Sequence, residues 1–167
     1  MTSSGNREKA ESILKLARIT EAPVDIAKVA EALGFKVIPF DFPKKRRGML
    51  IIENGVKAIG VNKDDPIAIQ RYTVAHELGH YLNGHEHKEN QFIDDETRFY
   101  DHHFQQEKEA DLFSSELLMP KDFLEKDLAT MGLDIPKLIE KYQVSEQALW
   151  IRLTSLRLAE KYSSSNR

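Results

Sequence analysis

The chain has 167 residues, long enough for one compact domain with its own core. Hydrophobic residues make up 41% and charged residues 31%, and the formal net charge is −3, so no global basic field draws it to nucleic acid or to an anionic membrane surface. Cysteine is absent, which excludes disulfides, thiolate zinc sites and a cysteine nucleophile together.

The N-terminus, MTSSGNREKAES, is polar and lacks the apolar core of a signal peptide. No stretch approaches the roughly 20 apolar residues that span a bilayer. A cytoplasmic protein is expected. Residues 6–19 read as an amphipathic helix, with Ala10, Ile13, Leu14 and Ala17 at helical spacing. EAPVDIAKVAEALG reads as a second helix, with Pro23 at its start and Gly34 as its C-cap. FKVIPF is a short strand that Pro39 assigns to an edge or an end. The run Lys44-Lys45-Arg46-Arg47 reads as a solvated loop. GMLIIENGVKAIGVN reads as a β-hairpin turning at Asn54-Gly55.

A long helix is expected from Pro66, with Asp65 as N-cap and a stop near Asn83-Gly84. Residues 85–103 are polar and acidic and read as a loop. A helix over 104–119 ends at Pro120, and KDFLEKDLATMG, DIPKLIEKYQ and SEQALWIRLTSLRLAEKY supply three more. The order predicts an α+β fold, a small antiparallel sheet packed by helices. The expected division is a domain over 1–120, a helical extension packed on it over 121–160, and a disordered tail over 161–167.

The long helix carries RYTVAHELGHYLNGHEH, with four of the six histidines. His76-Glu77-Leu78-Gly79-His80 is an H-E-x-x-H motif. On a helix its two imidazoles project from one face, where both can bind one Zn²⁺. Glu77 lies beside them, able to accept a proton from water held by the zinc. The apolar neighbours Val74, Ala75, Leu78 and Leu82 bury the motif, and two buried histidines without a partner would be costly.

Catalytic zinc takes three protein ligands as a rule. His85 follows directly, but the pattern with a histidine third ligand needs glycine three and histidine six residues after the second ligand. Here Gly84 and His85 stand at four and five, so His85 and His87 read as loop residues on the rim. The better source is FQQEKEADLFSSELLMP. At about 100° per residue, Glu107 falls with Ala110, Asp111, Ser114 and Leu118 on the inward side. Glu109 falls with Glu116 on an exposed side. Glu107 is therefore the expected third ligand. Asp111, one turn on, could accept the second N–H of a zinc-bound histidine, or be an ordinary surface charge. A donor to the transition-state oxyanion is also needed. His102, His103, Tyr100 and Tyr72 are the candidates, with His102 and His103 preferred.

Four segments together resemble the ImmA/IrrE-type metallopeptidases: PVDIAKVAEALGFKV, the glycine-punctuated hairpin, QRYTVAHELGHYLNGH and EKEADLFSSELLMP. They occur in the family's order over roughly residues 8–120. The resemblance implies a zincin-like minimal metallopeptidase fold, zinc as cofactor, and the glutamate opening E-x-x-A-D as third ligand, which is Glu107. It implies a cytoplasmic bacterial regulator that cleaves a helix-turn-helix repressor and so switches on a mobile element, prophage or stress response. Many members have asparagine where this chain has Asp111.

The C-terminal LIEKYQVSEQALWIRLTSLRL looks like part of a helix-turn-helix, with Arg152 and Arg157 on its second helix and Ser145-Glu146 opening it. Residues 134–167 carry six Lys/Arg against four Asp/Glu, too weak a balance for a DNA reader. Leu149, Trp150, Leu153 and Leu156 point to packing or repressor docking instead. The alternative from another class is a non-proteolytic regulator that binds a repressor or DNA, with a structural or vestigial zinc site.

Overall fold

The structure, a computed structural model, describes residues 3–42, 47–85 and 102–163. Helix α1 (Ser3–Leu16) turns Ala10, Ile13 and Leu14 into the core. Helix α2 (Ile26–Ala32) starts later than Pro23. The carboxylate of Asp25 accepts from the Lys28 N–H and so satisfies one of the orphan donors at the helix start. Three strands follow: β1 (Lys36–Phe40), β2 (Gly48–Glu53) and β3 (Val56–Asn62).

The predicted hairpin forms with Glu53 paired to Val56, so Asn54 and Gly55 alone make the turn. Both have positive φ, 48° and 79°, as a two-residue turn matched to strand twist requires. The sheet order is β1-β3-β2. The β1–β3 pairing is parallel, so the sheet is mixed rather than antiparallel throughout. A crossover through β2 returns the chain to the central position, where Ala58, Ile59 and Val61 are buried. Pro39 lies on edge strand β1, which pairs on one side only and so tolerates a residue without an N–H.

Helix α3 (Ile67–Leu82) packs on β2 and β3 and against α2, and α4 (His102–Leu118) crosses it. Pro66, not Asp65, occupies the N-cap of α3, and no side chain caps that end. On α4, Ala110, Ser114 and Leu118 are buried as the helical phase required. Helices α5 (Lys121–Met131), α6 (Ile135–Tyr142), α7 (Glu146–Ser155) and α8 (Leu158–Ser163) complete the fold. The last two were expected as one helix. Arg157 takes a left-handed φ of 57°, which breaks the hydrogen-bond ladder after α7.

The C-terminal helices are locked to α4 by a buried ion pair. The Arg152 guanidinium grips the Glu116 carboxylate through two bonds of 2.9 and 2.5 Å, and its Nε donates to the Met119 carbonyl at 3.0 Å. Glu116, expected on an exposed side, is therefore buried. Tyr142 and Lys141 on α6 both hold Asp127 on α5, at 2.8 and 2.6 Å. Of the segment 161–167, residues 161–163 close α8 and the rest lies outside the described residues, as do Lys44, Lys45 and Arg46. No helix among the described residues is long and apolar enough to cross a membrane.

Candidate metal centre

His76 and His80 lie one turn apart on α3, and their ring centroids are 4.7 Å apart. Both are largely buried. Their Nε2 atoms face each other at 3.0 Å. Glu107 reaches them from α4, with Oε2 3.2 Å from His76 Nε2 and Oε1 3.3 Å from His80 Nε2. The three residues expected from spacing and phase thus meet at one point, and they form a group that could hold a metal ion.

Gly79 lets the two helices approach. A Cβ there would stand 3.0 Å from both Cα and the carbonyl oxygen of Ala110, and 3.3 Å from Phe113 Cδ1. Any larger side chain inside the H-E-x-x-H turn would push α4 away and withdraw Glu107, which lies one turn before Ala110.

The electrostatics follow from crowding. Burial acts to lower the His76 pKa, but Asp111 and Glu107 outweigh it and raise it to about 9. Burial acts to raise the Glu107 pKa, and the hydrogen bonds and charges of His76 and His80 pull it below the usual carboxylate range instead. In effect the cluster attracts a cation. A tetrahedral zinc bound at about 2.0–2.1 Å keeps its ligand atoms about 3.3–3.4 Å apart. The two Nε2 atoms, 3.0 Å apart, each face one Glu107 oxygen at 3.2 and 3.3 Å, which is close to that spacing. Two imidazoles and a carboxylate are also a donor set that zinc accepts.

Behind His76 stands Asp111. Its Oδ1 is 2.9 Å from His76 Nδ1 and also accepts the Tyr72 hydroxyl. Asp111 is half exposed and touches the histidine at once. Tyr72 is pushed up in pKa by burial and by Asp111, and its hydroxyl is directed at that carboxylate. Glu77 is buried on α3 beside His76, 5% exposed. His102 and His103 lie in the first turn of α4, before Glu107 on the same helix. Their side chains, together with Tyr100 and His87, lie outside the described residues.

Two expectations are corrected. His85 is not on the rim: it is 8% exposed, with Nδ1 2.9 Å from His80 Nδ1. Nor is Glu109 solvated. Its Oε2 lies 3.1 Å from His85 Nε2, and its side chain is 14% exposed. His85 is not among the three residues that could hold a metal ion, and ligand spacing says nothing of what lies behind them. The available signal was Gly84, which the sequence reading takes only as the helix stop. A glycine just past a helix end folds the following residue back over the last turn. Here that turn carries His80.

Residues 30–154 match the model of a peptidase family described as the IrrE N-terminal-like domain. Among solved structures, the chain is similar to a Mycobacterium tuberculosis transcriptional regulator, with a TM-score of 0.70 at 15% identity. The match covers 90% of this chain and 46% of that one, so the chain spans about half the length of that protein. The likeness is one of fold. No curated protein matches the chain in sequence.

Proposed function

The chain belongs to the peptidase family of IrrE N-terminal-like domains, and on that premise we propose that it is a zinc-dependent endopeptidase that cuts a helix-turn-helix repressor. The observation that carries this is the meeting of His76, His80 and Glu107 at hydrogen-bond spacing across the α3–α4 crossing. In this reading those three residues hold the metal. Zinc there would supply a Lewis acid for the peptide carbonyl and make water acidic enough to be activated near neutral pH. Glu77 is the general base: it takes the proton from the attacking water and returns one to the leaving amine. Asp111 keeps His76 in the Nδ1–H tautomer, which leaves Nε2 free to ligate. His102 or His103 supplies the donor to the oxyanion.

A repressor as substrate is supported by the family resemblance and by the fold shared with a protein titled a transcriptional regulator. Direct DNA binding is disfavoured because Arg152 is buried against Glu116 and unavailable to a phosphate. The deciding experiment incubates the zinc-loaded chain with the repressor encoded beside it, with and without chelator, and weighs the fragments by mass spectrometry. One metal-dependent cut, absent with Glu77→Gln, is expected. Derepression in cells that survives Glu77→Gln would favour the non-proteolytic regulator instead.

A further inference from the structure

The second histidine of the motif has a support that no part of the H-E-x-x-H pattern describes. Gly84 takes a left-handed φ of 67° just after α3. The Gly84 N–H then bonds the Tyr81 carbonyl at 3.2 Å, and the His85 N–H bonds the His80 carbonyl at 3.1 Å. This pair of bonds is a Schellman cap, and it folds residue 85 back over residue 80. The His80 and His85 rings meet edge-on, with centroids 5.0 Å apart. Helix α1 secures the cap: Lys9 Nζ donates to the Leu82 carbonyl at 3.2 Å and to Asn83 Oδ1 at 2.7 Å. On the far side, Gln105 Nε2 donates to Glu109 Oε1 at 3.1 Å, which steadies the carboxylate facing His85.

The ring nitrogens admit one self-consistent set of protons. If His80 presents a lone pair at Nε2, its proton is on Nδ1, which must donate to His85 Nδ1. The His85 proton is then on Nε2, where it donates to the Glu109 carboxylate. Every polar ring atom is satisfied, and the chain ends on an anion. We propose that His85 and Glu109 are a positioning relay that fixes the tautomer and orientation of His80 for the metal, the counterpart of Asp111 behind His76. The proposal rests on the reading of His76, His80 and Glu107 as metal ligands. His85 and Glu109 touch no substrate in it; they act through His80.

The test uses the full chain and zinc alone, with affinity read by competition against a chromophoric chelator and histidine tautomers read by ¹⁵N NMR. His85→Ala is expected to weaken zinc binding by about 10- to 100-fold. His85→Gln, whose amide can accept from His80 and donate to Glu109, is expected to restore most of it. In the loaded parent, His85 should be the neutral Nε2–H tautomer. A merely structural role would lower the melting temperature of the metal-free protein without moving either readout. Unchanged zinc affinity in His85→Ala, or an Nδ1–H tautomer at His85, would overturn the relay. Should His85→Ala fail to fold, Glu109→Ala reads the same affinity with the ring kept in place; several-fold weakening supports the relay and no change overturns it. A parent chain that binds no zinc would sink the metal reading itself, a result distinct from failure of the relay alone.

Discussion

Gly79 and Ala110 bring α3 and α4 together so closely that a Cβ on Gly79 would lie 3.0 Å from the Ala110 backbone. Backbone cannot rotate aside as a flexible side chain can. Gly79→Ala is therefore expected to force α4 outward, costing about 1–3 kcal/mol of stability. Because Glu107 rides on α4, zinc affinity should fall as well. Denaturant unfolding and zinc competition on the same sample check both effects.

Glu107→Ala should abolish stoichiometric zinc binding while leaving α3 and α4 packed, since Gly79, Ala110 and Phe113 are untouched. Metal content by mass spectrometry after dialysis is the measurement. A full equivalent of retained zinc would remove Glu107 from the ligand set.

Asp111 should matter in proportion to the bond it makes. Asp111→Ala takes the acceptor from His76 Nδ1 and leaves the Tyr72 hydroxyl without its partner. A loss of about 10- to 100-fold in zinc affinity is expected. Asp111→Asn should retain most of the affinity, because an amide oxygen still accepts from both donors. Equal losses in the two variants would mean that charge, not the hydrogen bond, is what His76 needs.

Metal removal should register as stability. A ligand that binds only the folded chain adds about 2.7 kcal/mol at a free concentration 100 times its dissociation constant. For a chain of this size that corresponds to roughly 5–11 °C in melting temperature. Chelation should lower the melting point of the parent by such an amount and leave Glu107→Ala unmoved. Calorimetry on both proteins separates the site from general effects of the chelator.

Arg152 and Glu116 test whether the C-terminal helices fold as one unit with α4. Arg152→Ala would strand a buried carboxylate, and a loss of about 3–5 kcal/mol is expected. The double variant Arg152→Met with Glu116→Leu removes both charges and should recover most of it. Urea unfolding of the three proteins would show whether the coupling is there.

Much of this protein was legible in the sequence because its cues are local. Asn54-Gly55 requires a tight hairpin, since those residue types tolerate two successive positive φ values, and the hairpin is there. Spacing four residues apart puts His76 and His80 on one helical face whatever the helix packs against. Helical phase likewise favours Glu107 over Glu109 without reference to any contact. The same phase argument misjudged Glu109 and Glu116, because it treats the side opposite the core as solvent. Each is met there by a group distant in sequence, Glu109 by His85 and Glu116 by Arg152.

The sequence by itself therefore determined most of the elements, the shared helical face of the two histidines and the glutamate that meets them. Tertiary structure alone decided how the chain crosses and what stands behind each histidine. The parallel pairing of β1 with β3, the approach of α4 permitted at Gly79, and the fold-back of His85 onto His80 all depend on distances between segments that local rules do not encode. Periodicity says which way a side chain faces; only packing says what it meets there.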